Sequence, residues 1–122
     1  MKKEIISTGN IKAVSGAPYS PAIKIGNLVF ISGQIPDSPD ADIKKQTRQV
    51  LEKIQTLVEA AGTSLANVVK CTVYLSSLTD FALMNDVYRE FFPHEPPARA
   101  AVEVSGLFKG YKVEIDAIAY VS

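Results

Sequence analysis

Apolar and polar positions along this chain keep one of two periods, and the period kept by each stretch predicts its element. Between about Ala41 and Ala61 the apolar residues Ile43, Val50, Leu51, Ile54, Leu57, Val58 and Ala61 recur at spacings of three and four, while Lys44, Lys45, Arg48, Glu52, Lys53 and Glu59 take the other positions. That pattern is an amphipathic helix. Asp40 or Asp42 can accept from the free amides of its first turn, and Gly62 stands where a left-handed residue closes such a helix. A second helix is predicted over about Asp80 to Phe92, with Phe81, Met84, Val87, Tyr88 and Phe91 on one stripe, a Thr79/Asp80 cap and a stop at Pro93. The methionine and aromatic stripe reads as core packing.

The other stretches keep a period of two. Val68 to Ser76 sets Val69, Cys71, Val73 and Leu75 on one face and Lys70, Thr72 and Tyr74 on the other, so Cys71 reads as a small buried residue. Ala22 to Ile25 and Leu28 to Gly33 flank Gly26-Asn27, and glycine first in a two-residue loop suits a type II′ hairpin pairing Ile25 with Leu28 and Ile23 with Phe30. Lys3 to Ser7 is a short edge strand, followed by a loop through Gly16-Ala17-Pro18-Tyr19-Ser20-Pro21. Ala98 to Ser105 and Tyr111 to Val121 alternate around Gly106-Leu107-Phe108-Lys109-Gly110 and read as an antiparallel hairpin. Strand-helix-strand order, met twice, implies right-handed crossovers that lay both helices on the same side of one sheet. Two helices cover one face, yet Leu28-Val29-Phe30-Ile31 is apolar on both faces, and Ile118 and Tyr120 lie opposite Val113, Ile115 and Val121. The uncovered apolar face predicts self-association.

Composition narrows the classes. A chain of 122 residues can bury one core, so residues 1–122 are expected to form a single domain. Thirteen basic against thirteen acidic side chains, without arginine or lysine clusters, argue against a nucleic-acid surface. No apolar run approaches the roughly 20 residues of a membrane helix. Met1 to Ser7 is not followed by the apolar stretch of a signal peptide, so the protein is expected to be cytoplasmic. Cys71 is the only cysteine, which excludes an internal disulfide and a cysteine-rich zinc site. His94 is the only histidine and lies in the connector Phe92-Pro93-His94-Glu95-Pro96-Pro97, where it is expected to face solvent rather than serve a triad or a metal.

Candidate chemistry concentrates in the last two strands. Alternation places Arg99, Ala101 and Glu103 on one face, and Glu114, Asp116, Ile118 and Tyr120 on one face of the next strand. In a hairpin closing through residues 106–110, Ala101 or Glu103 falls opposite Glu114, with Arg99 within one or two pairs. An arginine and carboxylates would then share the face that a partner subunit buries, and buried charges must be paired. The placement fits a binding site, and equally an ion pair that only fixes register. Tyr19, Ser32, Gly33 and Asn85 are weaker signals, each readable as an interface plug, a strand end or a surface amide.

Six segments read in order resemble a known family. They are Gly16-Ala17-Pro18-Tyr19-Ser20-Pro21-Ala22-Ile23, Phe30-Ile31-Ser32-Gly33-Gln34-Ile35-Pro36, Gln46-Thr47-Arg48-Gln49-Val50-Leu51, Leu57-Val58-Glu59-Ala60-Ala61-Gly62, Pro97-Ala98-Arg99-Ala100-Ala101-Val102-Glu103-Val104 and Val113-Glu114-Ile115-Asp116-Ala117-Ile118-Ala119. Together they resemble the RidA (YjgF, reactive intermediate deaminase) family over nearly the whole chain. The resemblance implies a chorismate-mutase-like α+β fold, a single mixed six-stranded sheet with two helices packed on one face, assembled as a homotrimer with three clefts between subunits. It also implies hydrolysis of the 2-imino acids 2-iminopropanoate and 2-iminobutanoate. These arise from enamines that pyridoxal-phosphate dehydratases release from serine or threonine, and the products are 2-oxo acids and ammonia. No cofactor or metal is implied. By position, Arg99 would grip the substrate carboxylate and Glu114 would orient or activate water. Tyr19, Ser32, Gly33, Asn85 and the backbone at Ala101 would complete the pocket.

The sequence departs from the family pattern at a few places. Ala101 stands where many members carry cysteine, Pro36 to Asp42 is short and lacks the common Thr-Gly turn, Leu107-Phe108 replaces Leu-Pro, and Asp116 replaces a frequent glutamate. These bear on substrate preference more than on reaction type. Two other readings stay open. One is a non-catalytic sensor holding small carboxylates on Arg99. The other is an RNA-cleaving translation inhibitor, for which the sequence offers neither a basic groove nor a catalytic histidine.

Overall fold

In the computed structural model, which describes residues 1–122, the strongest helical pattern becomes α1 (Ile43–Ala60). The Asp42 carboxylate accepts from the Lys45 amide at 2.9 Å, so Asp42 rather than Asp40 is the cap. At the other end Gly62 turns left-handed (φ 94°). Its amide donates to the Glu59 carbonyl and that of Thr63 to the Val58 carbonyl, the reversed bonds that close a helix at glycine. The second helix, α2 (Phe81–Phe91), buries Met84, Val87 and Tyr88. Asp80 makes no capping bond. A 3-10 turn over Leu78–Asp80 runs straight into α2, so the capping oxygen is the hydroxyl of Ser77, which accepts from the Thr79 amide, one turn before the expected Thr79/Asp80 cap. Phe81 stays exposed at the helix start.

The strands are β1 (Glu4–Ile6), β2 (Ala22–Ile25), β3 (Leu28–Gln34), β4 (Val68–Leu75), β5 (Ala98–Glu103) and β6 (Val113–Tyr120), in spatial order β1-β2-β3-β6-β4-β5. The β2–β3 hairpin takes the expected register, Ile25 with Leu28 and Ile23 with Phe30. Of its two loop residues only Gly26 has positive φ, as a type II′ turn requires. The expected hairpin of the last two strands does not form. β6 lies between β3 and β4, antiparallel to both, and β5 runs parallel to β4 at the far edge of the sheet. Burial explains the choice. β6 buries Val113, Ile115, Ala117 and Ala119, a continuous apolar row suited to a central slot, whereas β5 leaves Ala98, Ala100, Val102 and Glu103 exposed and tolerates an edge. A second correction concerns β4, where the register shift between Val68 and Lys70 buries Val68 and turns Val69 out to solvent.

One face of the sheet carries both helices. Val50, Leu51, Ile54, Leu57 and Val58 of α1 join Val29, Ile31, Val73, Leu75 and Ile115 in a single apolar core. Leu51→Ala at this fully buried position should cost about 2–5 kcal/mol, read as a lower urea midpoint at unchanged slope. Gln46 is also fully buried, and its amide ties two segments together. Nε2 donates to the carbonyls of Pro39 and Ala41, and Oε1 accepts from the Lys112 amide at 2.8 Å, anchoring the entrance of β6. The opposite face is uncovered. Ile5, Ile23, Phe30 and Ile118 form one apolar row across four strands, and Ile25, Leu28 and Tyr120 form the next.

Candidate functional site

The site grows from an irregularity at the end of β3. Pairing with β6 breaks between Ile31 and Gln34, leaving Ser32 and Gly33 as a bulge. Three bonds hold it: the Ser32 amide donates to the Pro21 carbonyl at 2.9 Å, the Ser32 hydroxyl to the Ser20 carbonyl at 2.6 Å, and buried Gln34 Nε2 to the Ser32 carbonyl at 2.9 Å. The carboxylate of Glu114 lies against the Cα of Gly33, and a Cβ added there would collide with Oε2. Glycine at this position lets the Glu114 carboxylate approach the backbone, and its torsions do not demand it. The loop before β2 folds over this corner, with Ser15 and Gly16 left-handed and the Val14 amide donating to the Tyr19 hydroxyl at 2.8 Å. Between them these segments enclose a cavity of about 540 Å³ walled by Val14, Ala17, Tyr19, Ser32, Gly33, Ile35, Phe108 and Glu114.

Glu114 sits half-buried in this cavity and has neither a cation nor a hydrogen-bond donor of its own among the side chains. Burial raises its carboxyl above the usual range, and the like charge of Asp116 on the same face adds to the rise. Asp116 itself accepts from the Tyr74 hydroxyl, which donates to Oδ2 at 3.0 Å. The phenol of Tyr74 is raised in turn, chiefly by keeping that bond.

Arg99 lies elsewhere. On β5 it pairs in register with Cys71, whose side chain is buried beneath the helices, so Arg99 faces α2. Its Nη1 donates to Asn85 Oδ1 at 2.8 Å, and its guanidinium carbon stands 4.7 Å above the Tyr88 ring centre and 5.5 Å from that of Phe81. A smaller cavity of about 300 Å³ opens here, lined by Asn85, Tyr88, Pro96, Pro97 and Arg99. Half-buried Ala101 continues the same face of β5. Beneath lie the Tyr88 hydroxyl, which reaches no partner, and the Cys71 thiol, pushed up to about 11 mainly by burial. Such a thiol is inert at neutral pH.

The expectation that Arg99 and Glu114 share a face is therefore overturned. It rested on the hairpin that does not form, and within one chain the two groups look to opposite sides of the sheet. The structure makes two groups of the predicted residues instead, Tyr19, Ser32, Gly33 and Glu114 in one and Asn85, Arg99 and Ala101 in the other. His94 is exposed in its connector, as expected. Of the apolar wall of the larger cavity the sequence marked only Phe108, as a departure bearing on substrate preference, because Val14, Ala17 and Ile35 come from loops and a strand end that keep no period. The one visible signal was an aromatic residue in a glycine-flanked turn.

Comparison with known proteins adds to this geometry. The family described as endoribonuclease L-PSP matches residues 10–121. A RutC family protein of Pyrococcus horikoshii is 56% identical over 124 residues, covering 97% of this chain and 98% of its own. TdcF of Escherichia coli, provisionally named a reactive intermediate deaminase, is 41% identical over 125 residues, 96% of either chain. The crystal structure of Escherichia coli TdcF with bound serine covers 98% of this chain and 99% of that one with a TM-score of 0.89. The YjgF gene product of Escherichia coli, 42% identical, covers 96% of this chain and 98% of its own with a TM-score of 0.87. By sequence along nearly its whole length and by fold, the chain belongs to the endoribonuclease L-PSP family of RidA (YjgF) proteins.

Proposed function

We propose that this protein hydrolyses the 2-imino acids 2-iminopropanoate and 2-iminobutanoate to 2-oxo acids and ammonia, in a homotrimer whose clefts join the Arg99 edge of one subunit to the Glu114 cavity of the next. The observation that carries the reading is Glu114, a half-buried carboxylate without a counter-ion, set in a cavity and raised above the usual carboxylate range by burial. A carboxylate so placed suits general acid-base work near neutral pH. The relative TdcF, solved with serine, supports a ligand of amino-acid size.

The chemistry follows from the two groups. Arg99 offers the donors not used by Asn85 to the substrate carboxylate, and a guanidinium fork fixes that group and thereby the direction of the C=N carbon. Glu114 takes a proton from water as the water oxygen bonds to that carbon and the C=N π pair moves to nitrogen, then passes that proton to the nitrogen to give a neutral carbinolamine. Glu114 next takes the carbinolamine hydroxyl proton as C=O forms and the C–N bond breaks, and delivers it to the departing nitrogen, which leaves as ammonia. One imine and one water give one 2-oxo acid and one ammonia. The substrates are chemically of the kind that serine and threonine dehydratases release.

Assembly is supported by two features, the uncovered apolar rows and the division of the chemistry into two half-sites. Light scattering after size exclusion should give about three chains per particle. A stable monomer at micromolar concentration would remove the interfacial site. Activity itself is tested by adding the purified protein to a threonine dehydratase reaction and following imine loss and ammonia release. Saturable binding of 2-oxobutanoate without acceleration would select the carboxylate-sensor reading. The close approach at the bulge supplies a further expectation. Gly33→Ala pushes on the flexible end of Glu114 rather than on backbone, so thermal stability should hardly change while hydrolysis falls about ten- to a hundredfold through misplacement of the carboxylate.

A further inference from the structure

Hydrolysis as derived above uses Arg99, Glu114 and the Ser32–Gly33 bulge, and it leaves one wall of the larger cavity without a task. That wall is apolar, formed by Val14, Ala17, Ile35 and Phe108. Within one chain the cavity, about 540 Å³, is open on one side, and these four side chains line it next to Glu114.

Phe108 is held into this space by a turn with an unusual backbone. The Gly110 amide donates to the Leu107 carbonyl and the Tyr111 amide to the Phe108 carbonyl, while Lys109 (φ 54°) and Gly110 (φ 69°) are both left-handed. A lysine rarely adopts that conformation. Buried Tyr111 anchors the turn, and the Lys109 ammonium stands 5.6 Å over the Phe108 ring, yet the residue remains 45% exposed. Its place in the Glu114 cavity, outside the apolar rows of β2, β3 and β6, puts this wall within reach of the side chain of a substrate whose imine carbon faces Glu114.

We propose that Val14, Ala17, Ile35 and Phe108 form a side-chain subsite of this same site, and that the preferred substrates are 2-imino acids with branched or aromatic apolar side chains. The inference rests on the hydrolase reading and names its substrate class.

The test compares two imines generated by an amino-acid oxidase with catalase present, 2-iminopropanoate from alanine and 4-methyl-2-iminopentanoate from leucine, with kcat/KM measured for each. The wild-type protein should favour the leucine-derived imine by about tenfold or more, and Phe108→Ala should lower that ratio about tenfold, the discrimination that a few apolar carbons provide. Phe108→Leu should lower it less. Calorimetric Kd values for 4-methyl-2-oxopentanoate relative to 2-oxobutanoate should move in the same direction, independently of turnover. A wild-type preference for the alanine-derived imine, or an unchanged ratio in Phe108→Ala, overturns the subsite and leaves hydrolysis standing. Failure to hydrolyse either imine overturns the hydrolase reading and the subsite with it.

Discussion

Glu114→Gln is expected to slow imine hydrolysis by about 10² to 10⁴ while the variant still binds 2-oxobutanoate, because the amide keeps the shape of the carboxylate and cannot take a proton from water. The split between turnover and affinity is the diagnostic part. A residue that served only packing would lose both or neither. The pH profile gives a second signature. Burial first and Asp116 second raise the Glu114 carboxyl, so the acid limb of kcat/KM should lie above the usual range of a glutamate, with activity falling as pH drops through that limb. In the glutamine variant the limb should vanish from what activity remains. Stability carries the opposite sign. A carboxyl raised by folding is more stable in the fold when protonated. That contribution is fully present below the ordinary glutamate value and is lost as pH rises through the raised one. Removing the charge should therefore leave the fold at neutral pH at least as stable as the wild type, as a thermal melt at pH 7 would show.

Arg99→Ala is expected to lose both hydrolysis and 2-oxobutanoate binding, each by roughly ten- to more than a hundredfold, since a charge-assisted pair is typically worth about 1.5 to 3 kcal/mol. The fold should survive. Arg99 is paired with an amide and two aromatic rings rather than with a carboxylate, so its removal strands no buried charge. Arg99→Lys should recover only part of the loss, because an ammonium keeps the charge without the planar fork or the stacking on Tyr88. Each variant is first shown to assemble like the wild type, as the site is proposed to span subunits. If Arg99→Ala hydrolyses imines at the wild-type rate as an intact assembly, the mechanism is wrong.

Some of this molecule was legible in the amino-acid order alone, for reasons of distance along the chain. The spacing of Val50, Leu51, Ile54, Leu57 and Val58 declares a helix face because its partners lie three or four residues away. Gly26-Asn27 declares a turn and with it the Ile23–Phe30 register, because the loop leaves the two strands little choice. The uncovered apolar face was also readable, as a count of helices against sheet faces. The family resemblance carried the names of the site residues, and the chain itself could not say which of them meet.

Those meetings are decided by contacts between residues far apart in sequence. β6 passes over its neighbour β5 to insert between β3 and β4, since only a strand with Val113, Ile115, Ala117 and Ala119 along one side repays a central position under α1. That single choice turns Arg99 toward Asn85 and Tyr88 and leaves Glu114 on the other face against Gly33. It also brings Phe108 and Val14, nearly a chain length apart, onto one cavity wall. No local period records such placements, because what selects them is the burial of whole strands, a quantity summed over the sheet rather than held in any segment.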